Sequence, residues 1–244
     1  MDAERLTEQL ALWLRERVQA ASSQGVVLGI SGGIDSSVLA VLCQRAFPQS
    51  TLGVIMPCHS QPEDEQHARA VADKFSILTR VVVLDSVFDT MLKALPHDEP
   101  DQAVTRLAEA NLKARLRMLT LYYFANRLNY VVAGSSNRSE LAVGYFTKFG
   151  DSGVDILPLG NLVKRELREL ARFLGIPPVI IDKPPSAGLW AGQTDESEMG
   201  FSYEVLDRYL TTGEAPAELK KKIDARIAAN EHKCQTPPLP GFPA

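Results

Sequence analysis

The stretch Leu28–Ser37, LGISGGIDSS, restricts this chain more than any other. An apolar, β-branched run, Val26–Ile30, enters it, and a helical pattern, Ser36–Phe47, leaves it. A strand that passes through a glycine-rich turn into a helix N-terminus belongs to a parallel α/β sheet, and the turn lies at the carboxyl edge, where such sheets carry their chemistry. The turn aims several backbone N–H groups and the positive end of a helix dipole at one place, which makes an anion site. Gly32 and Gly33 let the main chain approach oxygen atoms closely and take positive φ without strain.

Different chemistries compete for that turn. Gly29-Ile30-Ser31-Gly32-Gly33 fits G-x-S-x-G, the nucleophile elbow of serine hydrolases. An elbow needs an acid and then a histidine downstream; of the four histidines only His232 comes late enough, with Asp182 or Asp195 as the acid, and no H-G-G-G oxyanion segment is present. As a phosphate cradle, the turn lacks the Walker ending Gly-Lys-Ser/Thr and lacks G-x-G-x-x-G, so it is neither an ordinary P-loop nor a dinucleotide fingerprint. It contains Asp35 instead. A carboxylate beside bound phosphates is repulsive unless a metal lies between them, so Asp35 reads as a Mg²⁺ ligand, with Ser31, Ser36 and Ser37 as hydroxyl donors. A plainer reading has Asp35 and the serines cap the helix.

The rest of the chain repeats the strand–helix rhythm. Thr51–Met56, Ile77–Leu84 and Tyr130–Ala133 join Val26–Ile30 as short, continuous apolar runs of the buried-strand kind. Between and around them lie an amphipathic first helix carrying Leu6, Leu10, Trp13, Leu14 and Val18, a helix to about Phe75 opened by a Ser60–Glu63 capping box, a long amphipathic stretch Asp101–Leu128, and a charged helix Val163–Leu174 stopped by Gly175 and Pro177. The expected fold is α/β: a doubly wound parallel sheet flanked by helices, one domain over residues 1–244. Asp182–Gly200 is too rich in Pro, Gly and acids for a regular element and reads as a functional loop; the tail from Gln235 to Ala244 reads as extended.

Composition narrows the partners. A net charge of -4 and a pI near 5.6 argue against a nucleic-acid surface, which needs clustered Lys and Arg. The three cysteines form no C-x-x-C pair and suggest neither a disulfide framework nor a zinc site; Cys43 reads as core. No run reaches the roughly 18 apolar residues of a membrane span, and the charged N-terminus is no signal peptide, so a cytoplasmic protein is expected.

Ser31-Gly32-Gly33-Ile34-Asp35-Ser36 after a strand resembles the signature of the ATP pyrophosphatases, enzymes that cleave ATP between its α- and β-phosphates. Within that group four later stretches resemble the ammonia-dependent NAD synthetases: NLKARLRM (111–118), GSSNRSELAVGYFTKFGDSGVDILPLGNLVKRELRELA (134–171), KPPSAGLWAGQTDE (183–196) and EHKCQTP (231–237). The resemblance runs in order from about residue 25 to 238. It implies a Rossmann-like fold of the adenine nucleotide alpha hydrolase type and amidation of deamido-NAD to NAD with ATP and ammonia through an adenylated intermediate. Position by position, it makes Gly29, Ile30, Ser31, Gly32, Gly33, Ile34, Asp35 and Ser36 the ATP loop, with Ser135, Lys164 and Ser186 as further ATP contacts. Asp35 and Glu140 become the magnesium carboxylates, and Asp35, Glu140 and Lys164 the catalytic set. Arg115, Lys148, Asp155, His232 and Lys233 become contacts to deamido-NAD, some crossing the interface of a homodimer. Ammonia is expected from solution, because the length leaves no room for a glutaminase domain. Another ATP pyrophosphatase that amidates or thiolates a different substrate, and a regulatory module that holds ATP without turnover, are the competing readings.

Overall fold

The computed structural model describes residues 2–96, 101–186, 188, 192 and 194–241. In chain order the elements are α1 (Ala3–Ala20), β1 (Gly25–Gly29), α2 (Ile34–Ala46), β2 (Thr51–Ile55), α3 (Pro62–Lys74), β3 (Thr79–Val81), α4 (Asp85–Ala94), α5 (Gln102–Leu128), β4 (Tyr130–Val132), α6 (Arg138–Ala142), α7 (Lys164–Leu174), α8 (Pro178–Ile181), α9 (Asp195–Met199), α10 (Tyr203–Thr212) and α11 (Ala217–Cys234).

The four strands are parallel in the order β3-β2-β1-β4. The chain steps outward from β1 to β2 to β3 and then returns past β1 to place β4 on its other side. That reversal is the mark of a doubly wound sheet, and it opens a crevice between the carboxyl ends of β1 and β4. Alternate side chains feed two cores. Val26, Leu28, Ile55 and Val131 face α1, α2, α3 and α7, while Val27, Val54 and Val132 face α4 and α5. A third, smaller cluster joins Val143 to Tyr203 and Leu206 of α10 and Ile223 of α11. Cys43 lies fully inside the first core, where a thiol behaves as a small apolar group. Among the described residues no helix is long and apolar enough to cross a membrane.

Four expectations are corrected. The run Ile77–Leu84 forms only the three-residue β3, and Arg80 and Val81 are exposed, because this strand is the sheet edge and has one neighbour. Ser60 does not cap α3: Gln61 holds the cap position without a side-chain bond, and the Ser60 hydroxyl instead accepts from Cys58 N (3.2 Å) and Arg117 of α5 (3.2 Å). Of the two loop glycines only Gly32 has positive φ (81°); Gly33 is extended at -88°. Finally, the 182–200 stretch contains a helix, α9, because the Thr194 side chain caps it, acids fill its first turn and Gly200 ends it at φ 80°. Residues 187, 189–191 and 193 of that stretch, and 242–244 of the tail, lie outside the described residues.

Candidate active site

The turn after β1 is tied together by its own hydroxyls. Ser31 N donates to Ser36 Oγ (3.1 Å), Ser31 Oγ lies 3.0 Å from Ser36 Oγ, and Gly33 N donates to Ser31 Oγ (3.3 Å). Ser36 and Ser37 both donate back to the Gly33 carbonyl, at 3.1 and 2.7 Å. No side chain caps α2, so its first N–H groups stay free to meet an anion. Gly32 packs so closely on α3 that a β-carbon would stand 2.2 Å from the Asp64 carbonyl oxygen. Among the described residues Ser31 has no hydrogen bond to a histidine, which a hydrolase nucleophile requires.

Three residues far apart in sequence meet at the β1–β4 crevice. Asp35 stands in the first turn of α2, Glu140 in α6 just beyond β4, and Lys164 at the first position of α7. Lys164 Nζ donates to Asp35 Oδ2 (2.6 Å) and to Glu140 Oε1 (3.2 Å), and Asn137 Nδ2 donates to Asp35 Oδ1 (2.7 Å). Glu140 has a second task. Its Oε2 accepts from Asn137 N while Asn137 Oδ1 accepts from Glu140 N, a reciprocal capping box that fixes α6. Lys164 is 1% exposed.

One buried cation cannot neutralise two carboxylates, and the site's electrostatics follow from that. Burial, with Asp35 adding to it, pushes Glu140 up to about 8, although Lys164 pulls the other way. For Lys164 burial acts to lower the value, but Asp35 and Glu140 outweigh it and hold the ammonium above its ordinary range. Burial likewise raises Asp195 and Tyr203, which stand behind the trio.

The other expected residues are spread over several places. Ser135 follows β4, partly buried beside the crevice; Ser186 is exposed and accepts from Gly188 N (3.1 Å). Arg115, Lys148, His232 and Lys233 form one linked group: Arg115 donates to the Lys148 carbonyl (3.3 Å), Lys148 Nζ to the His232 carbonyl (2.6 Å), and Lys233 Nζ to the carbonyls of Gly144 (2.8 Å) and Phe146 (3.1 Å). In this arrangement α11 clamps the 144–148 segment. Asp155 uses both carboxylate oxygens, accepting from Val132 N (2.7 Å) and Tyr122 Oη (2.9 Å), so it also closes the outer edge of β4.

Asn137, Tyr203 and Asp207 were not singled out from the sequence, and Asp195 was named there only as a possible acid of the hydrolase reading. Asn137 carried a readable signal, because Asn-Arg-Ser-Glu is an N-cap with a glutamate three residues on. The other three had none, since their roles depend on α9 and α10 folding back onto α6 and α7.

Comparison with known proteins agrees with this geometry. The profile of the NAD synthase family matches residues 6–237. An NH(3)-dependent NAD(+) synthetase of Carboxydothermus hydrogenoformans is 51% identical over 237 residues, covering 97% of each chain. Among solved structures, an NMN synthetase from Francisella tularensis superposes with a TM-score of 0.92 at 34% identity, covering 99% of this chain and 100% of that one. An NH3-dependent NAD synthetase from Campylobacter jejuni gives 0.81 at 30% identity, covering 98% and 99%. With the glycine turn, the buried trio and the strand reversal all in place, this chain belongs to the NAD synthase family.

Proposed function

We propose that this chain makes NAD by amidating deamido-NAD with ATP and ammonia. The observation that carries the reading is the meeting of Asp35, Glu140 and Lys164 beside a helix N-terminus left uncapped for an anion. The nicotinate carboxylate attacks the α-phosphorus of ATP, the bond to the β-phosphate oxygen breaks and pyrophosphate leaves. Ammonia then attacks the acyl carbon of the adenylate, the bond to AMP breaks, and the nitrogen loses a proton. No side chain is acylated, so the work of the protein is positioning and charge compensation. Ser31, Gly33 and the α2 N–H groups hold phosphate oxygens. Lys164 neutralises the charge that develops on the departing pyrophosphate, leaving the two carboxylates as the nucleotide enters.

Asp35 and Glu140 fit Mg²⁺ shared with a nucleotide. Their oxygens already converge on one cation, and Mg²⁺ is held by one or two carboxylates plus phosphate oxygens rather than by an all-protein cage. Among the described residues no three acidic, His or Cys side chains form such a cage. Bound there, Mg²⁺ would supply charge neutralisation across the phosphates.

Arg115, Lys148, Asp155, His232 and Lys233 are the proposed contacts to deamido-NAD, with Ser135 and Ser186 added to the ATP side. A homodimer is supported by apolar residues left about half exposed on neighbouring helices, Val87 and Met91 of α4 and Leu119 and Tyr123 of α5. The name of the Francisella relative supports a second reading, in which the same carboxylate is amidated on a mononucleotide.

The test is direct. Purified protein with ATP, Mg²⁺, ammonium and deamido-NAD should yield NAD, AMP and pyrophosphate in equal amounts. ADP and phosphate in their place, or no NAD, overturns the proposal. A parallel reaction with nicotinate mononucleotide as the more efficient substrate would establish the second reading instead.

A further inference from the structure

We propose that Asp195 is a positioning residue for the ATP site and acts on Lys164 through the phenol of Tyr203. The inference rests on the reading of Lys164 as an ATP contact. An ammonium has three donors, and Lys164 directs two of them to Asp35 and Glu140. Its remaining neighbour is an aromatic face: Nζ lies 4.9 Å from the centroid of the Tyr203 ring, within cation–π range. Where that ring stands therefore sets where the ammonium can stand.

Helix α9 holds the ring from two directions. Tyr203 Oη donates to Asp195 Oδ2 (2.8 Å), and Tyr203 N donates to Glu196 Oε1 (2.9 Å). The hydroxyl also lies 3.4 Å from Glu140 Oε1, so it touches the carboxylate that shares Lys164. Asp195 is in turn fixed by its main chain, whose N–H donates to the Pro185 carbonyl (3.0 Å). The result is a relay from the 182–186 segment through Asp195 and Tyr203 to Lys164.

Stability alone does not account for Asp195. The residue is 4% exposed, and among the described residues its Oδ1 is buried with no partner at hydrogen-bond geometry; the neighbouring Tyr145 hydroxyl donates to Glu198 (2.6 Å) instead. Such an oxygen weakens the fold, and a neutral side chain of the same size would fill the space without that cost. What the carboxylate adds is a fixed acceptor for the Tyr203 hydroxyl, two bonds from the cation that meets the nucleotide.

A double-mutant cycle on ATP affinity tests this, measured by calorimetry with a non-hydrolysable ATP analogue on the full chain. Asp195→Ala and Tyr203→Phe should each weaken binding about 5- to 10-fold, and the double variant should be no weaker than the poorer single one, because both cut the same link. Asp195→Asn, which keeps an acceptor, should stay within about 3-fold of wild type. Thermal unfolding should show Asp195→Asn, the neutral side chain of the same size, as stable as wild type or more so, and the KM of Asp195→Ala for deamido-NAD should not move. Losses that multiply in the double variant, or an Asp195→Asn as weak as Asp195→Ala, would overturn the relay. A wild type that binds the analogue but forms no NAD would sink the proposed reaction and leave the cycle readable. A wild type that does not bind it sinks both.

Discussion

At Gly32 a positive φ of 81° combines with a backbone oxygen 2.2 Å from any added β-carbon, so both conformation and space forbid a side chain. Gly33 is different: its φ is negative, and a β-carbon would meet only Ser31 Oγ at 3.4 Å. Gly32→Ala should therefore lower stability by about 2 kcal/mol or more, while Gly33→Ala stays within about 0.5 kcal/mol. Chemical denaturation of the two variants checks this, and equal losses would refute it. At this scale sequence reading reached Asp35, Glu140 and Lys164, because a carboxylate in a phosphate-type turn demands explanation and the family motifs name the other two. It missed Tyr203, and it named Asp195 only as the acid of the hydrolase reading. A tyrosine at the start of one helix and an aspartate at the start of another look like ordinary caps and core until the chain is folded.

Helix α7 shows why Lys164 is placed so firmly. No side chain of its N-cap, Val163, can bond its N–H groups, so other elements do. Asp207 of α10 accepts from Arg165 N (2.7 Å) and from Ser139 Oγ (2.5 Å), and Ser139 Oγ accepts from Lys164 N (3.1 Å). A distant carboxylate thus does what an N-cap residue usually does. Asp207→Ala should destabilise the protein by about 1–3 kcal/mol and raise the KM for ATP with it, since the first turn of α7 carries Lys164. Unchanged ATP kinetics in a folded variant would detach this cap from the site. The same dependence on partners explains where element boundaries were not legible. Ser60 looked like a cap but is used by Arg117, 57 residues further along the chain, which only the packing of α5 brings near. Helix α9 was hidden inside Pro- and Gly-rich sequence because its five residues are too few for a periodic pattern. By contrast β1, β2 and α2 were readable to within a residue or two, since buried apolar runs decide them locally.

For the molecule as a whole, the strand order places β1 and β4 side by side although about 100 residues separate them. Of the helices on the path between, α2 and α3 cover one face of the sheet, while α4 and α5 cover the other and leave Leu119 and Tyr123 half exposed. If this face forms the proposed homodimer, Leu119→Glu should turn a dimer into a monomer in sedimentation and reduce turnover with it; a species unchanged in size would remove this face as the interface. The general architecture was legible because the strand and helix rhythm is strong. The way α10 and α11 close over the site was not, because amphipathic helices near a C-terminus do not announce which surface they cover. The trio at the crevice has a final consequence, in the order of synthesis. Asp35 is made first, Glu140 next and Lys164 last, so a growing chain holds the acid pair before it holds the amine that reconciles it. Burying Asp35 and Glu140 together carries a charge penalty that Lys164 of α7 relieves, so the crevice is electrostatically complete only once the last of the three residues to be made has packed.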